Sequence, residues 1–143
     1  MQPRERPTLS AVILAGGRSL RMGRDKAWLP VDGRPLLVRQ VALVQELGSA
    51  QTFISGRADV DYSALGCRVL HDLEAGLGPL GGIERALHAC ETDLLLVLAV
   101  DLAAMTGGFL RRLTSRCDCK VGGVPKRGGD LEPLAAVLSL IHI

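Results

Sequence analysis

The sequence lacks a strong charge excess and a long apolar segment, and each absence excludes a class of protein. Its formal net charge is only +2, which is too small to predict binding to nucleic acid. The longest purely aliphatic run is Leu94 to Val100, far short of the roughly 20 apolar residues that span a bilayer. The first ten residues are polar and include two prolines, unlike the apolar core of a signal peptide. We therefore expect a cytoplasmic protein that binds neither nucleic acid nor a membrane.

The four cysteines lack the spacing of a zinc site or of a disulfide framework. No C-x-x-C occurs, and Cys117 and Cys119 are separated by a single residue. Adding His71 or His88 to this pair gives a conceivable metal cluster, but the spacing matches no zinc template. Cys90 falls on the apolar face of a predicted helix. We interpret the cysteines as core or incidental thiols in a reducing cytoplasm.

The chain does have enough apolar residues for one well-packed domain. It contains 143 residues, of which 48% are apolar, and its mean hydropathy is +0.25. That length suits one domain with a real core and is too short for two ordinary ones. Strand and helix patterns alternate along residues 1–143, without an internal repeat. This alternation predicts a single three-layer α/β/α domain with a mainly parallel sheet and helices on both faces.

The element boundaries follow from hydrophobic periodicity, glycines and prolines. The predicted strands are Leu9–Leu14, Gln51–Ser55, Cys67–Leu70, Asp93–Asp101, Lys120–Val124 and a last strand that ends at Leu140. One predicted helix begins at Pro35 and ends before Gly48. A second begins at Pro79, with Leu80, Ile83, Leu87 and Cys90 on one face, and a third spans Met105–Leu113. Residues 31–34 (VDGR) are predicted to form a tight turn.

The stretch LAGGRSLRMGRDK, residues 14–26, is the strongest functional signal. It follows the first strand and combines three glycines with four cations: Gly16, Gly17, Gly23, Arg18, Arg21, Arg24 and Lys26. Glycines let backbone N–H groups approach a ligand, and clustered cations repel one another unless an anion is bound. The stretch is neither a P-loop nor a G-x-G-x-x-G motif. It predicts a phosphate site, although a solvated basic turn remains the alternative.

Two further features occur where ligands bind in open parallel sheets. Residues 72–83 read DLEAGLGPLGGI, and a helix start without bulky side chains can present free N–H groups to an anion. The alternative there is a simple loop leading into a helix. Asp101 stands at the carboxyl end of the most apolar strand, at the edge where ligands bind. Position alone leaves two roles open for Asp101, a helix cap or a metal ligand.

These motifs resemble those of nucleotidyltransferases. LAGG-x4-M-G-x-D-K is similar to their signature loop, and most of all to that of the molybdenum cofactor guanylyltransferase family. D-x3-G-x-GPL-x-GI resembles the family's second nucleotide-contacting motif, and residues 132–135 resemble its EPL-A segment. The resemblance implies a Rossmann-like nucleotidyltransferase domain. The family usually carries prolines around its strand-end Asp, whereas this chain has Val100 before Asp101 and Leu102 after it.

The resemblance also implies a reaction and its substrates. GMP would be transferred from GTP to molybdenum-molybdopterin: the terminal phosphate of the pterin attacks the α-phosphorus of GTP, and pyrophosphate leaves. The reaction would depend on Mg²⁺. Further partners would be proteins that insert molybdenum or deliver the cofactor to molybdoenzymes.

Site residues are implied by the same resemblance. The nucleotide contacts would be Leu14, Ala15, Gly16, Gly17, Lys26, Ser55, Asp72 and Asp101. The catalytic groups would be Arg21 and Lys26, which hold phosphates, and Asp101, which binds Mg²⁺. Ser55 occupies a place where family members often carry Asn.

Several alternatives stay open at this stage. A cytidylyl- or sugar-phosphate nucleotidyltransferase would share the fold, although LAGG favours guanine because cytidylyl relatives tend to have LAAG. A non-catalytic nucleotide-binding domain would use Asp101 only as a cap. Family members extend beyond the point where this sequence stops and form their acceptor side there. We therefore expect a C-terminally truncated chain that is marginally stable and nearly inactive on its own.

Overall fold

A five-stranded sheet organises the computed structural model, which describes residues 6–16, 20–21, 24–71 and 78–142. The strands are β1 (Leu9–Leu14), β2 (Thr52–Ser55), β3 (Arg68–Leu70), β4 (Leu94–Ala99) and β5 (Ala135–Ser139). Their order across the sheet is β5-β4-β1-β2-β3. All neighbouring pairs are parallel except β5 with β4. The prediction of a mainly parallel sheet is confirmed.

Within the described residues, three helices cover the sheet: α1 (Leu36–Glu46), α2 (Pro79–Ala89) and α3 (Gly107–Ser115). Alternate residues of β1 point to opposite faces of the sheet. Ala11 and Ile13 pack in a core cluster that includes residues of α1 and α3, whereas Val12 packs in a second cluster that includes Ala86 of α2. The helices therefore form layers on both faces, which confirms the predicted three-layer α/β/α architecture. No helix in the described part of the chain is long and apolar enough to cross a membrane.

Short elements fill the connections. Three one-turn 3₁₀ helices span Lys26–Trp28, Ser63–Leu65 and Leu140–His142. Three antiparallel ladders pair Leu20–Arg21 with Arg24–Asp25, Pro30–Val31 with Arg34–Pro35, and Lys126–Arg127 with Asp130–Leu131. The predicted turn at residues 31–34 is present, since Asp32 and Gly33 both have positive φ, 52° and 79°, as in a tight hairpin.

The predicted strand Lys120–Val124 is wrong. Asp118 turns the chain there, because its Oδ1 accepts hydrogen bonds from the backbone N–H groups of Lys120 (2.7 Å) and Val121 (2.8 Å). A side-chain acceptor of this kind stabilises a turn in competition with a strand ladder. An isolated bridge between Gly123 and Val137 ties this segment to β5 in place of a strand ladder.

The predicted apolar face of α2 is also partly wrong. Leu80 is 70% exposed, whereas Gly81, Gly82 and Ala86 are buried. A Cβ added at Gly82 would overlap Ser55 Oγ and lie only 2.9 Å from Ser55 Cβ and 3.0 Å from Leu14 Cδ2. The helix thus approaches the sheet through its smallest residues, and hydrophobicity alone does not identify that face.

We predict that Gly82→Ala destabilises the protein although alanine is the better helix former. Overpacking of a filled core costs about 1–3 kcal/mol, which exceeds the gain of up to about 1 kcal/mol in helix propensity. Thermal denaturation should show a lower melting temperature. Gly108→Ala in α3 is the matched control, because a Cβ there would meet only the flexible Arg111 side chain at 3.9 Å. Equal melting temperatures for the two variants would contradict the close approach at Gly82.

Candidate functional site

The site is built on the carboxyl ends of adjacent parallel strands. The final residues of β1, β2 and β4 lie side by side, since Leu14 is paired with both Ser55 and Ala99. The pairing continues one residue further: Ala15 N–H donates to the Ser55 carbonyl (2.8 Å), and Val100 N–H donates to the Leu14 carbonyl (3.1 Å). This edge is therefore a fixed frame for the loops that follow the strands.

Lys26 is held over this edge by a short capped turn. It opens the 3₁₀ helix Lys26–Trp28, and Asp25 Oδ1 caps that helix by accepting from Ala27 N–H at 3.0 Å. Ala27 is fully buried, so the turn is anchored in the core next to the lysine. The second carboxylate oxygen of Asp25 is buried without a hydrogen-bond partner among the described residues.

Lys26 and Asp101 meet at the site. Lys26 Nζ lies 3.9 Å from Asp101 Oδ2, and the two side chains are 25% and 52% exposed. A pair this long and this exposed to water contributes little to stability, about 0–1 kcal/mol. Both groups can therefore exchange their mutual contact for contacts with a ligand.

Asp101 does not cap the helix that follows it. Thr106 caps α3 instead, with its Oγ1 accepting from Phe109 N–H at 3.1 Å. The interpretation of Asp101 as the cap of α3 is wrong, because the turn between β4 and α3 places five residues between Asp101 and the start of the helix. The carboxylate is instead left at the sheet edge.

Helix α1 fastens the segment that carries Asp101. Gln40 is fully buried, and its Nε2 donates to the carbonyls of Val100 (3.2 Å) and Leu102 (2.9 Å). Arg39 Nη2 donates to the carbonyl of Met105 at 2.8 Å. Sequence reasoning missed both residues. The available signal was a glutamine at position 40 on the same helical face as Leu37 and Val44, where a buried apolar residue is the norm.

A pair of aromatic rings ties the Lys26 turn to the loop after β2. Trp28 stacks on Tyr62 with ring centroids 6.0 Å apart and an interplanar angle of 18°. Tyr62 is buried, packs on Gly56 where a Cβ would overlap its ring, and accepts a hydrogen bond from Arg57 N–H at 3.1 Å. Burial raises the pKa of Tyr62 above its ordinary value, because the charged phenolate is the form that loses hydration.

The start of α2 adjoins the same edge. The helix begins at Pro79 after Gly78, as predicted, and no side chain in the described part of the chain caps it. Gly82 in its second turn packs on Ser55 and Leu14. Among the described residues, no capping side chain uses the first-turn N–H groups, and such groups can bind an anion.

The predicted site residues fall into three groups. The structure brings Lys26 and Asp101 together, and it places Leu14, Ala15, Gly16 and Ser55 along the strand edge. Ser55 itself is buried against Gly82. For Arg21 the described part is the backbone, which pairs with Arg24. Gly17 and Asp72 lie outside the described residues, and their predicted roles stay predictions.

The donor set determines how a Mg²⁺ ion would fit. Among residues 6–16, 20–21, 24–71 and 78–142, no three His, Cys, Asp or Glu side chains come together as metal ligands. Asp101 offers one exposed carboxylate. Mg²⁺ is commonly held by one or two carboxylates together with substrate phosphates and water. The described part of the site fits that mode, in which the nucleotide brings the remaining ligands.

The fold and this edge define an α/β domain in which Lys26 and the strand-end carboxylate of Asp101 meet beyond the carboxyl ends of the strands, where open parallel sheets bind ligands. Residues 11–142 match the MobA-like NTP transferase domain family. The chain belongs to that family, which confirms the resemblance found in its motifs.

The chain is also similar to a sequence relative and to two solved structures. The probable molybdenum cofactor guanylyltransferase of Pelotomaculum thermopropionicum is 42% identical over 130 residues, which are 91% of this chain and 63% of that protein. A nucleotidyl transferase (Mth528) from Methanothermobacter has a TM-score of 0.78 at 20% identity, covering 94% of this chain and 73% of its own. The 2-C-methyl-D-erythritol 4-phosphate cytidylyltransferase of Thermus thermophilus has a TM-score of 0.69 at 20% identity, covering 94% and 71%.

These comparisons carry different weights. The chain spans less than two thirds of the length of its Pelotomaculum relative. The two solved structures, at 20% identity, show the nucleotidyltransferase fold and nothing more specific.

We predict a high titration midpoint for Tyr62, the only tyrosine of the chain. Near-ultraviolet absorbance of the folded protein should give a pKa above the ordinary value of 10.0. The contribution that this raised pKa makes to the free energy of unfolding is complete below pH 10.0, and it is lost as the pH rises through the higher pKa of Tyr62 in the folded state. Tyr62→Phe should abolish the absorbance change. A midpoint at or below 10.0 in the folded protein would contradict the burial of this ring.

Proposed function

We propose that this chain carries the nucleotide-binding and phosphate-binding groups of a molybdenum cofactor guanylyltransferase. The reaction is transfer of GMP from GTP to molybdopterin, with release of pyrophosphate. The observation that carries the proposal is the meeting of Lys26 Nζ and Asp101 Oδ2, 3.9 Å apart at the carboxyl edge of the sheet. Membership of the MobA-like NTP transferase family and the name of the Pelotomaculum relative support it.

The chemistry explains why these residue types are needed. A phosphate oxygen of the acceptor attacks the α-phosphorus of GTP, the bond from that phosphorus to the bridging oxygen breaks, and the electron pair leaves with pyrophosphate. No protein nucleophile takes part. Two mutually repelling anions must be held together, so positioning and charge neutralisation account for the catalysis. Lys26 and Arg21 would hold phosphate oxygens, and the backbone of residues 14–16 would contact the nucleotide.

Asp101 is proposed to hold Mg²⁺ together with the nucleotide phosphates. When bound, the ion would neutralise charge that develops on the leaving pyrophosphate. Lys26 would then turn from Asp101 to a phosphate, and this exchange costs little because the exposed pair is weak. The four cysteines are free, in keeping with the reducing cytoplasm proposed for the reaction.

The choice of base rests on the sequence and not on the fold, since a cytidylyltransferase has the same architecture. Gly17 of LAGG favours guanine over cytosine. We predict that GTP binds more tightly than CTP or ATP when Mg²⁺ is present. Titration calorimetry with the three nucleotides at equal Mg²⁺ concentration is the measurement. Equal affinity for CTP would refute the guanine assignment and favour the cytidylyl alternative.

A second prediction tests whether Asp101 is a Mg²⁺ ligand. Asp101→Asn should remove most of the Mg²⁺ dependence of GTP binding and leave the fold intact, because an amide is a poorer Mg²⁺ ligand than a carboxylate. Calorimetric titrations of GTP with and without Mg²⁺ measure the Mg²⁺ dependence of binding. A circular dichroism spectrum shows whether the fold is intact.

The control for that variant is Asp93→Asn, at the opposite end of the segment that contains β4. Asp93 Oδ2 accepts from Thr8 N–H at 2.8 Å, and an asparagine oxygen can accept this bond as well. The Mg²⁺ dependence of GTP binding by Asp93→Asn should equal that of the unmodified chain. Unchanged Mg²⁺ dependence in Asp101→Asn would reject the metal role of Asp101.

A further inference from the structure

Among the described residues, Gln40 is the one helix residue whose side chain forms hydrogen bonds with the chain both before and after Asp101. Its Nε2 donates to the carbonyl before Asp101, at Val100 (3.2 Å), and to the carbonyl after it, at Leu102 (2.9 Å). The NH₂ group must face these atoms, because carbonyl oxygens only accept hydrogen bonds. One buried nitrogen therefore fixes two peptide groups, one that joins residues 100 and 101 and one that joins residues 102 and 103, relative to α1.

An amide is unusual at position 40 of α1. Leu37, Val41 and Val44 surround it on the buried face of α1, where an apolar side chain would be expected. Gln40 Oε1 is buried without a hydrogen-bond partner among the described residues, which is unfavourable. The Leu102 carbonyl already accepts from Met105 N–H at 3.1 Å, so satisfying that carbonyl does not require Gln40.

Helix α1 is a common support for both charged groups of the site. Arg39, next to Gln40, holds the Met105 carbonyl at 2.8 Å, which gives the segment after β4 a second fixed point. The turn that carries Lys26 is tied to the first residue of α1, since Leu36 N–H donates to the Leu29 carbonyl at 2.9 Å. The position of Asp101 relative to Lys26 is thus set through one helix.

We propose that Gln40 is a positioning residue that sets where Asp101 presents its carboxylate to a nucleotide-bound Mg²⁺ ion. The inference rests on the proposed metal role of Asp101. Loss of groups that orient a metal ligand lowers metal affinity roughly tenfold to a hundredfold. Gln40 itself touches neither the nucleotide nor the ion.

The test compares Gln40→Met with a matched core variant. Methionine has nearly the length of glutamine but no N–H donor, whereas Val44→Ala makes a cavity at another fully buried position of α1 and removes neither hydrogen bond to the carbonyls of Val100 and Leu102. For each protein the melting temperature is measured, and GTP binding is titrated against Mg²⁺ by calorimetry. Fluorescence of Trp28, the only tryptophan, gives a second binding signal.

We expect Gln40→Met to raise the Mg²⁺ concentration for half-maximal GTP binding roughly tenfold or more. At saturating Mg²⁺ its GTP affinity should approach that of the unmodified chain, because Lys26 is intact. Val44→Ala should lower the melting temperature but leave the Mg²⁺ requirement unchanged. Equal Mg²⁺ requirements in Gln40→Met and Val44→Ala would overturn the proposal and leave Gln40 a packing residue.

Gln40→Asn keeps the test decisive if the methionine variant does not fold. Its amide is one methylene shorter and cannot reach both carbonyls, so an unchanged Mg²⁺ requirement would likewise overturn the proposal.

The unmodified chain and Asp101→Asn distinguish failure of the proposed function from failure of the Gln40 proposal. Absence of Mg²⁺-dependent GTP binding in the unmodified chain would overturn the proposed function and the Gln40 proposal with it. Mg²⁺-dependent binding that is lost in Asp101→Asn but unchanged in Gln40→Met would overturn the Gln40 proposal alone.

Discussion

The parallel pairing of β1 with both β2 and β4 is the constraint on which the rest of the structure depends. The register aligns Leu14 with Ser55 and Ala99, so β1, β2 and β4 end at the same edge of the sheet. The loops that follow these three strands therefore all begin at that edge. The residues that follow each strand are thereby gathered at one edge, whatever their separation in sequence. β4 is buried over its whole length, so its position cannot shift without disturbing both core clusters. The segments that carry Lys26 and Asp101 both leave the sheet at this edge.

The site combines a rigid backbone with loosely held charges. Asp25 caps the turn of Lys26, Ala27 anchors it, and Gln40 clamps the chain on either side of Asp101. The charged groups themselves share only a long contact that is open to water. A short buried ion pair would resist the arrival of a ligand, since each charge would first lose a strong partner. The observed arrangement keeps the desolvation cost low and leaves both charges free to bind phosphate or metal, as the proposed reaction requires.

Sequence reasoning succeeded where one short-range signal decides the structure. Leu94–Ala99 is apolar throughout because both of its faces are covered, and Pro79 marks a helix start because its fixed φ suits the first turn. It failed where a distant or competing contact decides. The turn made by Asp118 outweighs the apolar pattern of Lys120–Val124, and glycine contact with the sheet leaves Leu80 exposed. Of the candidate site, the sequence indicated Lys26 and Asp101. It could not indicate Gln40, whose partners lie sixty residues further along the chain.

The glycine at position 82 connects packing to the proposed chemistry. A larger residue there would push α2 away from Ser55 and Leu14, and the start of the helix, which no described side chain caps, would move with it. An uncapped helix start attracts anions only over the distance of about its first turn, so a small displacement would separate it from a phosphate bound at the strand edge. The same close approach that buries the middle of α2 thus sets the distance between its N-terminus and the ends of β1 and β2. The stability of the fold and the geometry of the proposed site therefore both depend on the contact of Gly82 with Ser55 and Leu14. Both require that residue 82 has no side chain.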